Sequence, residues 1–156
     1  MIKDSGDRTE FYTGAVRDMR DGKGRCDLLP IDIICDIYEY YEYDVEPLRH
    51  IEKFTQTGSY KDLIKAVVCG NTDMCYISDM LLDVSVHFEN GALKYGEDNW
   101  KKGMPVKVYI DSGLRHYFKF LKGDKDEPHY LAFIWNIMCA MWTCKNMPEL
   151  NNYLIR

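Results

Sequence analysis

The chain has 156 residues, of which 46% are hydrophobic and 29% are charged, and its formal net charge is -5 at pH 7. This length and composition fit one globular domain with its own core. The acidic balance argues against a binder of nucleic-acid polymers, because binding to the phosphate backbone usually requires a basic face. A single nucleotide in a locally basic pocket remains compatible with it.

Residues 1–29 are polar and rich in glycine and lack a clean hydrophobic period, which predicts an ordered N-terminal arm. Pro30 and Pro47 suit the first turns of two helices, and Ser59 suits the cap of a third. Gly70 is expected to end that third helix. Longer apolar periods predict the core helices, which we place at 73–95, capped by Thr72, and at 105–121 and 128–145.

The predicted fold class is therefore all-α, a helical bundle that forms a single domain over residues 1–156. We divide this domain into the arm and three further segments: a helical insertion at 30–71, core helices at 72–146 and a C-terminal tail at 147–156.

The cysteine spacing and the length of the longest apolar run indicate the cellular compartment. The six cysteines include no CxxC pair, so a zinc ribbon or a thioredoxin-like site is not expected. No signal peptide is evident, and the longest apolar run, YLAFIWNIMCAMW, is too short to span a bilayer. These features predict a cytoplasmic protein with reduced cysteines and no membrane partner.

The last core helix carries one strongly polar residue, Asn136, between Tyr130 and Trp142. A buried amide has to find hydrogen bonds or it costs stability. His129 lies seven residues earlier and so shares a helix face with Asn136. Two interpretations are equally open: a polar stripe that lines a pocket, or an asparagine that bonds to a neighbouring helix.

The preceding helix reads YIDSGLRHYFKF. Asp111 and Arg115 are spaced i,i+4, which is typical of a plain salt bridge. His116 follows directly, within a stretch that mixes polar and apolar residues. The three residues are therefore either a structural pair with a neighbouring histidine or part of a functional site.

A third polar group lies at the end of the helix predicted over 73–95. Glu89 and Lys94 are in its last turns, and Asn99 and Trp100 follow in the loop. This helix end is suited to present an acid, a cation, an amide and a ring to one nucleotide. Trp100 alternatively packs as an apolar plug.

Four segments carry a family resemblance: GAVRDMRDGKGRCDLLP, HFENGALKYGEDNWKKGMP, YIDSGLRHYFKFLKGDKDE and HYLAFIWNIM. In this order they resemble a phage and prophage family of small proteins, the MazZ-like dATP/dGTP diphosphohydrolases, over about half of the chain. The resemblance implies a MazG-like bundle that forms a dimer or tetramer. It also implies hydrolysis of purine (deoxy)nucleoside triphosphates with release of pyrophosphate, dependent on Mg²⁺ or Mn²⁺, in the host cytoplasm if the gene belongs to a phage.

The resemblance also implies which residues form the site. MazG-type enzymes hold their metal with an ExxE pair followed by ExxD, whereas the only ExxE here is Glu39 to Glu42, outside the matching segments. The implied catalytic residues are Glu89, Asp111 and His116. The implied metal ligands are Glu89, Asp111, Asp126 and Glu127. The implied substrate contacts are Lys23, Arg25, Lys94, Asn99, Trp100, Arg115, His129 and Asn136.

Two other hypotheses compete with the hydrolase. The sparse acidic pattern is also typical of a non-catalytic phage protein that sequesters a host nucleotide signal. Alternatively, the polar stripe is the seam of a homo-oligomer or a partner-binding surface.

Overall fold

The computed structural model describes residues 6–154, and its secondary structure is helical apart from one small hairpin. Strands β1 (Arg8–Glu10) and β2 (Val16–Asp18) are antiparallel, with Thr9 opposite Arg17. The predicted all-α class is confirmed. The predicted arm contains this hairpin; residues 1–5 of the arm and 155–156 of the tail lie outside the described residues.

Six α-helices form the bundle: α1 (Ile31–Tyr40), α2 (Glu46–Thr57), α3 (Tyr60–Val68), α4 (Met74–Tyr95), α5 (Val106–Lys122) and α6 (His129–Asn146). Short 3-10 turns lie at Cys26–Leu28, Asn99–Lys102 and Pro148–Leu150. Among residues 6–154, none of the helices combines the length and apolarity needed to cross a membrane.

Local chemistry accounts for most helix ends. Asp73 caps α4, because its side chain accepts a hydrogen bond from the Cys75 backbone N–H at 3.0 Å. The prediction that Thr72 is the cap was therefore wrong by one residue. Gly58 ends α2 with φ 66°, and a Cβ there would lie 2.8 Å from the Tyr153 carbonyl oxygen. Both the backbone conformation and the close approach of the C-terminal segment require glycine at this position.

The core is larger than the three helices that the sequence analysis placed in it. Helices α5 and α6 pack against each other at its centre, and α3 and α4 pack on α6. Leu48, Phe54 and Leu63 from α2 and α3 are fully buried in the same hydrophobic cluster as Leu114 and Phe133. The segment predicted as an insertion thus contributes to the core that supports the α5–α6 pair.

Candidate functional site

A cavity of about 410 Å³ lies between the N-terminal arm and helices α4, α5 and α6. Its walls carry more cationic than acidic side chains. The cations are Arg17, Arg20, Lys23, Arg115 and Lys119. The acids are Asp18, Asp126 and Glu127. This excess of positive charge favours an anionic ligand, although the chain as a whole is acidic.

Asp111 anchors the arm to α5. Its carboxylate is fully buried and accepts hydrogen bonds from Arg20 Nε at 3.0 Å, Arg115 Nη2 at 2.9 Å and the Cys26 backbone N–H at 2.7 Å. Arg115 also donates to the backbone carbonyls of Lys23 and Gly24. Asp111 was implied as a catalytic and metal-binding residue, but the structure surrounds it with donors and leaves it outside the cavity wall. Its geometry is that of a structural anchor.

The cluster at residues 87–100 mainly holds the hairpin in place. The Asn99 amide bonds both backbone groups of Val16, at 2.8 Å each, and also lines the cavity. Lys94 Nζ donates to Asp18 Oδ2 at 2.8 Å. The Trp100 ring packs edge-on against Trp142, with ring centroids 5.2 Å apart, so the packing alternative describes this side chain.

Six implied site residues do not line the cavity, namely Asp111, Lys94, Trp100, His129, Glu89 and Arg25. Glu89 is exposed on α4, and Arg25 is paired with Asp27 through two hydrogen bonds. Neither lines the cavity. In contrast, the cavity wall includes seven implied residues, namely Lys23, Asn99, Arg115, His116, Asp126, Glu127 and Asn136.

Two histidines and a glutamate converge at the cavity wall, which His116 and Glu127 line. His116 Nδ1 and His129 Nδ1 are 3.1 Å apart, and Glu127 Oε1 lies 3.6 Å from the first and 3.5 Å from the second. His129 is almost fully buried, and its Nε2 lies 2.8 Å from Asp126 Oδ1. If Nε2 carries the proton and donates to Asp126, the Nδ1 lone pair of His129 points toward His116 and Glu127.

This arrangement fits a divalent metal ion. The three ligand atoms of His116, Glu127 and His129 lie within 4.8 Å of one another. Burial, with smaller contributions from the charges of His129 and Arg17, lowers the pKa of His116 to about 3. Metal ligation requires neutral imidazole, which this environment favours near neutral pH. Asp126 completes the set as the carboxylate that orients a ligating histidine.

Arg17 is the residue that the sequence analysis missed most clearly. Its Nη2 donates to Asn136 Oδ1 at 2.5 Å, and its Cζ lies 5.5 Å from the Tyr109 ring centroid and 5.6 Å from that of Trp135. Burial lowers the pKa of Arg17. Arg17 lies within the first matching segment, as do the implied substrate contacts Lys23 and Arg25, so the sequence carried a signal for it.

Asn136 satisfies both interpretations that the sequence left open. Its Nδ2 donates to the Ala132 carbonyl at 2.7 Å and its Oδ1 accepts from Arg17 of the arm. It also lines the cavity. The amide is therefore both a bonded core residue and part of the pocket wall.

The buried imidazole of His87 predicts a loss of stability in acid. Burial, reinforced by the nearby Arg17 charge, lowers the pKa of His87 to about 4, below the usual value of about 6.5. The unfolded chain then binds the extra proton first, so stability is complete above about pH 6.5 and falls toward pH 4. Between pH 7 and pH 5 the unfolding free energy should fall in both proteins. We expect the fall to be smaller in His87→Gln than in the wild type by roughly 1–2 kcal/mol. Urea denaturation at both pH values measures the difference, and equal losses would contradict it.

The fold and cavity define a class: an all-α protein with a cation-rich pocket beside a histidine–carboxylate cluster capable of binding a metal ion. Residues 63–152 match the family model described as dATP/dGTP diphosphohydrolase, N-terminal. This match covers more than half of the chain, and the chain belongs to that family, as its sequence segments predicted. No curated protein and no solved structure matches the chain.

Proposed function

We propose that the cavity binds a purine deoxynucleoside triphosphate and that the protein hydrolyses it to the monophosphate and pyrophosphate with the help of a divalent metal ion. The family to which the chain belongs is named for dATP/dGTP diphosphohydrolase activity. The observation that carries the proposal is the position of the His116–Glu127–His129 cluster in a cavity lined by an excess of cations. Phosphate binding and metal binding thus share one cavity.

His116, Glu127 and His129 would hold the metal ion, with Asp126 fixing the His129 ring. A divalent ion bound there neutralises phosphate charge and makes a water molecule more acidic. Two nitrogen ligands and one carboxylate suit Mn²⁺ better than Mg²⁺, which prefers oxygen ligands. We therefore propose Mn²⁺ as the more effective of the two ions named by the resemblance.

The remaining charged groups position the substrate. Lys119 lies one turn after His116 on α5, and Lys23 is on the arm segment that Arg115 fastens to α5. These ammonium groups line the cavity and are suited to donate charge-assisted hydrogen bonds to phosphate oxygens. They orient the triphosphate near the histidine–carboxylate cluster, and the arm shields it from bulk water.

The experiment is an incubation of the purified protein with ribo- and deoxynucleoside triphosphates in Mn²⁺ or Mg²⁺, followed by chromatography and mass spectrometry. We expect purine monophosphates plus pyrophosphate, faster in Mn²⁺, and no reaction in excess chelator. Intact triphosphates under every condition would contradict the proposed hydrolysis.

A second candidate is a protein that sequesters a nucleotide without hydrolysing it. It is favoured by the charge of the cavity wall, where cations outnumber acids, and by the lack of an ExxE–ExxD metal motif. Denaturing the loaded protein and identifying the released ligand separates the two candidates. Recovery of intact triphosphate in the presence of Mn²⁺ would support sequestration.

We also propose that the protein is a homo-oligomer that associates through α4. This 22-residue helix exposes Leu82, Val86 and Leu93 at 68%, 54% and 82%. Such an apolar stripe is typical of an association surface. We expect Leu82→Glu to lower the molar mass measured by light scattering after gel filtration. Leu28→Glu, at a residue 69% exposed in the 3-10 turn Cys26–Leu28, is the matched control and should retain the wild-type mass. A wild-type monomer would contradict this proposal.

A further inference from the structure

Two buried hydrogen-bond donors in the cavity wall have no partner. Among residues 6–154, neither Arg17 Nη1 nor Trp135 Nε1 meets an acceptor, although both atoms are shielded from solvent. Buried polar atoms are normally satisfied, and leaving a donor unpaired costs stability. Both groups can only donate, so they call for a ligand that offers two acceptors.

The two donors are close to each other. Arg17 Cζ lies 5.6 Å from the Trp135 ring centroid, and both residues line the cavity. Asn136 holds Arg17 from the other side by accepting from Nη2 at 2.5 Å. This bond fixes the plane of the guanidinium, and Nη1 is left without a partner among the described residues.

Asn136, which binds Arg17, lies about two turns along α6 from the proposed metal ligand His129. His129 belongs to the histidine–carboxylate cluster, and Asn136 is seven residues further along α6, which is about 10 Å at the rise of an α-helix. The surroundings change along this path. Glu127 and Lys119 lie near His116, whereas the Tyr109 and Trp135 rings lie against Arg17. A deoxyribose and a base can bridge this separation when the phosphates lie at the charged end.

We propose that Arg17 and Trp135 form a base-recognition subsite that selects 6-oxopurines, with Arg17 Nη1 and Trp135 Nε1 donating to O6 and N7 of guanine. This inference rests on the proposed function and deepens it by naming the base. Adenine offers an acceptor at N7 but carries an amino group at position 6. That amino group is itself a donor and cannot accept a hydrogen bond from the protein donor that faces O6 in guanine. Arginine commonly recognises the same two guanine atoms in nucleic acids.

The apolar and aromatic wall favours a base over a phosphate at this position. Tyr109 and Trp135 flank the guanidinium, and an indole N–H is a neutral donor suited to a ring nitrogen or carbonyl oxygen. The cavity already has Lys23 and Lys119 for phosphate groups. Phosphate at Arg17 is the competing occupant, and competition with inorganic pyrophosphate separates the two.

The test measures binding of deoxynucleoside monophosphates by isothermal titration calorimetry, because these are products and are not consumed. We expect dGMP and dIMP, which share O6 and N7, to bind at least about tenfold more tightly than dAMP. We expect 7-deaza-dGMP, which lacks the N7 acceptor, to bind roughly threefold to tenfold more weakly than dGMP.

Two variants assign the effect to the donors. Trp135→Phe keeps an aromatic ring without the N–H, and Arg17→Lys keeps the charge without the planar fork. Both should reduce dGMP affinity more than dAMP affinity, because only guanine offers acceptors to both donors. Trp142→Phe is the matched control, since Trp142 packs against Trp100 and does not line the cavity. It should leave all affinities unchanged.

Equal binding of dGMP and dAMP in the wild type, or equal weakening of both in the variants, would overturn base recognition. If inorganic pyrophosphate displaces dGMP from the wild type but not from Arg17→Lys, Arg17 binds phosphate. That result would also overturn base recognition. Failure of every nucleotide, including triphosphates, to bind would overturn the proposed function itself. Binding without base preference would overturn only the inference.

Discussion

Glu127→Gln is expected to lower triphosphate turnover at least about 100-fold while leaving the fold intact. Loss of a residue that only orients a metal ligand typically costs 10- to 100-fold, and a direct ligand should cost more. Glu127 is the carboxylate that converges with His116 Nδ1 and His129 Nδ1, and glutamine keeps its size but removes its charge. Measurements of kcat/KM in Mn²⁺ and of Mn²⁺ affinity by calorimetry should fall together.

Glu149→Gln provides the matched control for this change. Glu149 is an exposed glutamate in the last 3-10 turn and does not line the cavity. Its replacement should preserve both turnover and Mn²⁺ affinity. Wild-type turnover and Mn²⁺ affinity in Glu127→Gln would remove Glu127 from the proposed metal site.

Asp111→Asn should destabilise the protein by about 3–5 kcal/mol, the usual cost of breaking a buried ion pair by removing one partner. The carboxylate is fully buried and accepts from Arg20, Arg115 and the Cys26 backbone N–H. Asparagine leaves one acceptor oxygen and turns an NH₂ group toward two guanidinium donors. Urea denaturation measures the free-energy change, and hydrogen exchange should show faster exchange in the arm.

The control for this change is Asp36→Asn on the surface. Asp36 pairs with Arg49 at 2.8 Å, but its side chain is 65% exposed, so its loss should cost less than about 1 kcal/mol. Equal destabilisation by the two substitutions would contradict the anchoring role of Asp111. So would unchanged hydrogen exchange in residues 16–27 of Asp111→Asn.

The fold was largely accessible from the sequence because helix formation depends on local signals. Pro47, Ser59 and the apolar periods gave the helices to within a few residues. The cap of α4 was misplaced because Thr72 and Asp73 are both capable caps, and only geometry shows which side chain meets the Cys75 N–H. The contribution of α2 and α3 to the core required tertiary packing, which periodicity does not reveal.

The site was only partly accessible. The i,i+4 spacing correctly offered an Asp111–Arg115 pair, but the bonds from Asp111 to Arg20 and Cys26 span 91 and 85 residues. Glu89 lies two residues after the buried His87, which turns it to the opposite side of α4, where it is exposed. The Arg17–Asn136 contact spans 119 residues and depends on a hairpin that the arm's sequence did not predict.

The most direct test of the proposed hydrolysis uses phosphorus NMR to follow dGTP incubated with the wild-type protein and Mg²⁺. A parallel reaction in Mn²⁺ is quenched with chelator before its spectrum is recorded. We predict that dGMP and pyrophosphate appear in equal amounts and that inorganic phosphate and dGDP do not. Formation of dGDP with inorganic phosphate would mean cleavage between the β- and γ-phosphates and would contradict the proposed cleavage between the α- and β-phosphates. A triphosphate spectrum that does not change, with protein that binds dGTP, would mean that this cavity holds the nucleotide without hydrolysing it.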